Sequence, residues 1–434
     1  MRRLRVPTNT ALIALTSVVA ATPAVAQYGA AAAAQPAAAT PQANVAAASP
    51  AAPAAPAPCQ ADISKGARKA MVALQSAVSA KDTANIPARI AAAQAVAKSN
   101  DDRCFIAQMQ VLSAVQAGNL AAVPPALEAQ LATGSVSKSR VAALYESLAK
   151  MHYDKGDYDG AATNFDRAVA LEPGRIQSVL MLAETRNKQK RVADALPLYR
   201  KAIALELAAG RKPDENWYRR AVAVAQGSSS PLTPELAREW ISAYPSPANW
   251  RDAIALYAQS SGAAPTTLVD LYRLQRLTHS LKGEGDHARY ADVLISKGFP
   301  GEAKAMLDEG FAANAVDRNR ASMKSFHALA TAKAAGDRAS LDGQAKAALA
   351  SPAAKQAMVL GEAYYGYGDY AKAAEMFRAA QGKSGVDAEL ANLRLGMALA
   401  ASGDKAGAKA ALAKVSGPRA EIAKYWQAYV NLRP

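Results

Sequence analysis

Two segments far apart in this chain are written on one template. Residues 145–173 read YESLAKMHYDKGDYDGAATNFDRAVALEP, and residues 357–380 read AMVLGEAYYGYGDYAKAAEMFRAA. Leu148, Ala149, His152, Gly156, Asp157, Tyr158, Ala161, Phe165 and Ala168 are answered, at one constant offset, by Leu360, Gly361, Tyr364, Gly368, Asp369, Tyr370, Ala373, Phe377 and Ala380. A single repeat cannot bury its apolar face alone, so it must lean on its neighbours. The expected fold is all-α, built from stacked helix-turn-helix repeats, and the expected function is to hold other molecules.

Within the first copy, Tyr145, Leu148, Ala149 and His152 recur at helical spacing and make one face. Gly156-Asp157 stops that helix, because glycine takes the left-handed conformation that ends one. Tyr158, Ala161, Phe165 and Ala168 form the inward face of a second helix, and Pro173 closes the unit. Leu182, Ala183, Ala195, Tyr199 and Ala202 keep the register in the next copy, with Lys190 where the glycine stood. A further copy runs through Leu395, Gly396, Leu399, Gly403-Asp404, Ala408 and Leu412. Looser pairs are expected over about 64–97 and 104–132, and around Tyr290, Leu294, Gly298 and Leu307. The stretch 210–353 is broken by Pro231, Pro234, Pro245 and Pro247 and is expected as diverged helical repeats, with a kink between two halves as the alternative. Residues 417–434 carry the stripe Ile422, Tyr425, Trp426 and Tyr429, expected of a capping helix.

These residues resemble the tetratricopeptide repeat family. The set Leu148-Ala149, Tyr158, Ala161, Phe165, Ala168 and Pro173 matches its pattern, as does Leu360-Gly361, Tyr364, Tyr370, Ala373, Phe377 and Ala380. The resemblance is strong over 142–209 and 354–416, leaving 59–141 as N-terminal helical hairpins. It implies a right-handed α-solenoid, a superhelix whose first helices line a groove for peptides or proteins. On the outward positions of those helices lie Glu146, Lys150 and Tyr153, then Leu180, Glu184 and Asn187, then Met358, Glu362 and Tyr365. These nine are the candidate groove contacts. The Lys/Asn/Arg set by which some members grip a terminal carboxylate is missing, since Glu146 and Lys150 stand in its places.

The chain opens with Arg2, Arg3 and Arg5, then an apolar run from Ala11 to Ala21, then Ala24-Val25-Ala26. That order is expected of a signal peptide over 1–26, cleaved before Gln27. The run is shorter than the roughly 20 residues of a bilayer span, and no other apolar segment is long enough. Residues 27–58 are almost wholly Ala and Pro, with no charge between Arg5 and Asp62, and are expected as an extended, poorly ordered tether. The mature protein is therefore expected in the periplasm, with association at the outer membrane as an option. The formal charge of +15 suggests an anionic partner. Export and the dispersed basic residues argue against nucleic acid, and leave anionic glycan or lipid head groups as the alternative to a protein partner.

Chemistry is not indicated. The four histidines His152, His279, His287 and His327 form no H-E-x-x-H pair. His152 reads as a packing or hydrogen-bonding residue. No nucleophile elbow, phosphate loop or dinucleotide fingerprint occurs, and Gly366, Gly368 and Asp369 mark a hairpin turn. No catalytic residue, cofactor or metal is expected. Cys59 and Cys104 are the only cysteines, and in an oxidising compartment they are expected to bridge, with two separate thiols as the alternative.

Overall fold

The computed structural model describes Cys59, residues 62–261 and residues 265–433. The expected leader and the whole Ala/Pro tether lie outside them. The described residues form twenty α-helices and no strand beyond two isolated bridges, Cys59 with Val136 and Ala353 with Ser384. They fall into two compact units, divided between Glu172 and Pro173.

The N-terminal unit holds α1 (Arg68–Ser79), α2 (Ile86–Val96), α3 (Asn100–Gln116), α4 (Val123–Ala132), α5 (Lys138–Asp154) and α6 (Tyr158–Leu171). Consecutive helices pack as hairpins. In the last, Leu148 and Ala149 of α5 and Ala161, Phe165 and Ala168 of α6 are all buried, as their shared spacing requires. The start of α3 is fixed by a reciprocal cap, in which Ser99 Oγ accepts from Asp102 N and Asp102 Oδ2 accepts from Ser99 N. The buried Asp102 also accepts from Ser64 N at 3.0 Å, tying the segment before α1 to α3. Burial opposes its charge, but the N–H groups of Ser99, Lys98 and Ser64 outweigh that and hold the carboxyl well below the ordinary aspartate range. A disulfide joins Cys59 to Cys104 of α3, with Cα atoms 5.9 Å apart.

The C-terminal unit begins with α7 (Ile176–Lys188), α8 (Val192–Ala208), α9 (Glu215–Gly227), α10 (Thr233–Ala243), α11 (Pro247–Ser261) and α12 (Pro265–Leu277). It continues with α13 (Gly283–Ser296), α14 (Pro300–Ala312), α15 (Ala321–Ala350), α16 (Ala354–Gly366), α17 (Tyr370–Gln381), α18 (Ala388–Ser402), α19 (Lys405–Leu412) and α20 (Ala420–Leu432). Small residues decide how closely paired helices approach. A Cβ on Gly361 would sit 2.5 Å from the ring of Phe377, and one on Gly396 would sit 2.5 Å from Leu412. Arginine–carboxylate pairs about one repeat apart in sequence stitch neighbouring hairpins. Arg220 meets Glu184 at 2.7 Å, Arg251 meets Asp286 at 3.4 Å and Arg276 meets Glu309 at 2.6 Å. Where such pairs are exposed they are worth about 0–1 kcal/mol each, so they set register more than stability.

The helix-ending positions take the left-handed conformation, at φ +79° for Gly156, +80° for Gly368 and +92° for Gly403. Lys190, in the equivalent place, is forced to φ +61°. A side chain there costs about 1 kcal/mol, partly offset because glycine frees the unfolded chain. Lys190→Gly is therefore expected to stabilise the unit by up to about 1 kcal/mol. Urea unfolding followed by tryptophan fluorescence would measure this, and a loss of stability would refute the strain argument.

Two features were not foreseen. Residues 321–350 form one continuous 30-residue helix, α15, packed against α14 and α16 through Met323, Ala330, Ala334, Leu341 and Ala348. The C-terminal helix α20 does more than cover the last repeat. It packs on α18 and α19 and also on α10 and α12. Tyr425 Oη donates to Ala253 O at 3.2 Å, Trp426 is fully buried, and Glu421 pairs with Arg238 of α10. One helix thus joins stretches of the unit that lie far apart in sequence.

Candidate binding cleft

The expected groove contacts are mostly engaged within the protein. Glu146 is buried and takes Lys150 Nζ at 2.6 Å. Tyr153 is half-buried, edge-on to Tyr158 at 5.4 Å. Leu180 and Met358 pack partly buried on the core of the C-terminal unit, and Asn187 is half-buried. Glu184 accepts from Tyr199 Oη at 2.5 Å and from Arg220 Nε and Nη2 at 2.7 Å. Glu362 accepts from Arg394 and lies 2.8 Å from Arg273 Nη1. Tyr365 is 3% exposed, with the Arg273 guanidinium 4.3 Å from its ring centre. Glu184, Glu362 and Tyr365 therefore bind neighbouring repeats to one another. An acid on the outward face of one first helix meets an arginine about one repeat later, a pairing that helical periodicity alone does not reveal.

Arg273 belongs to a buried charge cluster. Its Nη2 lies 2.7 Å from Glu302 Oε2, and Tyr290 Oη donates to Glu302 Oε1 at 2.6 Å. Arg394 joins Glu362 to Asp270. Burial raises Asp270 despite Arg394. Burial also opposes the charge of Glu362, but Arg273 and Arg394 overcome it and bring that carboxyl down to about 2. With every charge facing a partner of opposite sign, the cluster is built to fasten α12, α14, α16 and α18.

The N-terminal unit instead leaves an open cleft of about 410 Å³ between α4, α5 and α6. Leu131 and Leu148 give it an apolar wall, and the Arg167 guanidinium lies 5.4 Å from the centre of the Tyr145 ring on its rim. His152 Nδ1 lies 2.6 Å from Asp157 Oδ2. Asp157 caps α6 by accepting from Gly160 N at 2.9 Å. Gly160 N and His152 together lower the Asp157 carboxyl below its ordinary value. A Cβ at 160 would fall 2.4 Å from Asp157 Oδ2 and 2.6 Å from His152 Nδ1, so a side chain there would displace this pair. Asn164 Nδ2 donates to Gly160 O at 2.9 Å. Two buried atoms on the cleft wall are left without a hydrogen-bond partner, His152 Nε2 and Asn164 Oδ1. Glu128 Oε1 lies 3.8 Å from that Nε2.

A sequence model of the tetratricopeptide repeat matches residues 108–176 and again 146–212. Residues 108–212 thus carry the tetratricopeptide repeat pattern. The cleft lies wholly inside this tetratricopeptide stretch. No curated protein matches the chain. Among solved structures it is similar to a tetratricopeptide repeat protein from Parabacteroides merdae, at 13% identity over 68% of this chain and 99% of that one, with a TM-score of 0.27. It is also similar to the C-terminal part of a TPR repeat-containing protein from Cytophaga hutchinsonii, at 11% identity over 73% and 96%, again with a TM-score of 0.27. Scores of this size mean that the chains do not superpose as wholes.

The tetratricopeptide pattern places Tyr145, Leu148 and His152 on the packing side of α5, away from the outward positions marked for a ligand. Sequence reasoning missed this site for that reason. Its one legible signal is the polar His152 on an otherwise apolar face. Among the described residues no cluster of three or more His, Cys, Asp or Glu could hold a metal, and no helix is long and apolar enough to cross a membrane.

Proposed function

We propose that this protein is a non-catalytic scaffold of the bacterial periplasm that holds a peptide or protein partner during envelope assembly or export. The observation that carries the binding role is the cleft in the tetratricopeptide stretch, preformed and lined by buried polar atoms that make no hydrogen bond within the chain. A site already shaped costs little ordering on binding. Its volume falls within the roughly 300–1,000 Å³ usual for binding pockets. The location is supported by the leader pattern Arg2, Arg3, Arg5 to Ala26. The Cys59–Cys104 disulfide suits the same oxidising compartment.

The test is photocrosslinking from a label placed at Thr163, an exposed residue on the rim, in intact cells. A defined envelope protein should crosslink from the rim and not from an equivalent label at Lys409, which is exposed on α19. Equal crosslinking from both positions would defeat the reading.

A second reading is favoured by charge. Basic and acidic side chains nearly balance between 59 and 172, so the excess outside the leader lies beyond Pro173. That unit would then rest on an anionic glycan or lipid surface. Co-sedimentation with peptidoglycan or anionic vesicles should weaken as salt rises, and absence of binding at low salt removes this reading.

A further inference from the structure

We propose that the cleft between α4, α5 and α6 receives a primary ammonium group, carried by a lysine side chain or a free amino terminus of the bound peptide. This rests on the cleft being the partner site and adds what it recognises.

The argument is a count of donors and acceptors. Asp157 accepts from Gly160 N and is a carboxylate, so the hydrogen between His152 and Asp157 sits on His152 Nδ1. In its neutral form the imidazole presents a lone pair at Nε2. The Asn164 amide is oriented by its bond to Gly160 O, which must receive an N–H, so Oδ1 is the atom left over. Glu128 supplies a third acceptor, with its Oε1 3.8 Å from His152 Nε2. Three acceptors, one each from α4, α5 and α6, therefore line the cleft, and two of them are buried and make no hydrogen bond. A buried acceptor without a donor is costly to leave unmet. An ammonium brings three donors and one positive charge, matching the three acceptors and the Glu128 carboxylate. An anion would face the same acceptors with nothing to offer them. The one arginine lining the cleft is Arg167, and its guanidinium lies over the Tyr145 ring.

The charges on the two sides allow a crossed test. Glu128 is 58% exposed at its side chain, and Arg167 is exposed, so reversing either leaves the packing of α4 and α6 intact. The probes are three pentapeptides: a capped one with lysine between alanines, the same with glutamate for lysine, and an all-alanine one with a free amino terminus and amidated end. Binding to the full chain is read from the NMR signals of the His152 ring and the Asn164 side-chain amide. The lysine peptide is expected to move both signals in a saturable way, and the glutamate peptide is not. A shift with the all-alanine peptide as well would assign the site to any ammonium, whereas its absence would assign it to lysine side chains. Glu128→Lys is expected to weaken lysine-peptide binding at least tenfold, while Arg167→Glu leaves it unchanged or tighter. Preference for the glutamate peptide, indifference to Glu128→Lys, or no saturable shift with either ammonium-bearing peptide would each overturn the proposal. If a partner crosslinks at the rim but no ammonium probe binds, the ligand chemistry is wrong and the scaffold reading stands. If the probes bind and no partner crosslinks, the reverse holds.

Discussion

Arg273→Ala should lower the stability of the C-terminal unit by about 3–5 kcal/mol, the usual loss when one partner is removed from a buried ion pair. Arg273 is 1% exposed and Glu302 is fully buried. Removing the guanidinium leaves Glu302 with only Tyr290 Oη as a close donor and takes from Glu362 one of its two arginines. It also strips the cation from the face of Tyr365. Tryptophan fluorescence isolates the effect, because Trp217, Trp240, Trp250 and Trp426 all belong to this unit. Adding Glu302→Gln to Arg273→Ala should recover part of the loss, since glutamine keeps an acceptor for Tyr290 and removes an unpaired charge.

The same variant carries a pH signature. Arg273 and Arg394 hold the Glu362 carboxyl at about 2, below its ordinary value of 4.5. A depressed folded-state value stabilises above the unfolded value, and that contribution fades as pH falls through the folded one. The gap between wild type and Arg273→Ala should therefore be widest above about pH 5 and narrow toward pH 2. A gap that is flat from neutral pH to pH 3 would show that Glu362 is not held down by Arg273.

Removing the disulfide should produce the second large effect, confined to the N-terminal unit. Cys59 and Cys104 are 45 residues apart in sequence. Closing a loop of that size restricts the unfolded chain by about 4 kcal/mol on the chain-entropy model. The double variant Cys59→Ser/Cys104→Ser, or treatment with a thiol reductant, should lower the melting of this unit as seen by circular dichroism. The fluorescence transition of the C-terminal unit should stay in place. Hydrogen exchange should rise first around Ser64 and Asp102, where the buried carboxylate ties the entering segment to α3. A change under about 1 kcal/mol would mean that this carboxylate and the packing of α1–α3 already fix the segment without the bridge.

The legible parts of this fold are those written in local periodicity. The α5–α6 and α16–α17 hairpins, their glycine turns and their alanine or glycine contacts follow from residues three and four apart. The outward residues were harder. Glu184 and Glu362 stand where a ligand contact would stand, yet they face arginines 36 and 32 residues further along the chain. No spacing rule within one repeat marks them as taken. The candidate cleft was missed for the converse reason. Tyr145 and His152 look like packing residues, and only the placement of α4, with Glu128, turns that face into a cavity with unmet acceptors.

What the sequence determined by itself is the repeating unit: two helices, a left-handed turn between them, and one apolar stripe on each. These depend on neighbours along the chain, so a string of residues suffices to specify them. What only the tertiary structure decided is which polar atoms find partners across repeats. It brought the buried Asp270, Arg273, Glu302 and Arg394 together with the partly buried Glu362, and it laid α20 against α10 and α12. It also left His152 Nε2 and Asn164 Oδ1 waiting. Hydrogen bonds and ion pairs depend on a few ångströms of separation in space, and that separation is set by stacking rather than by position along the chain.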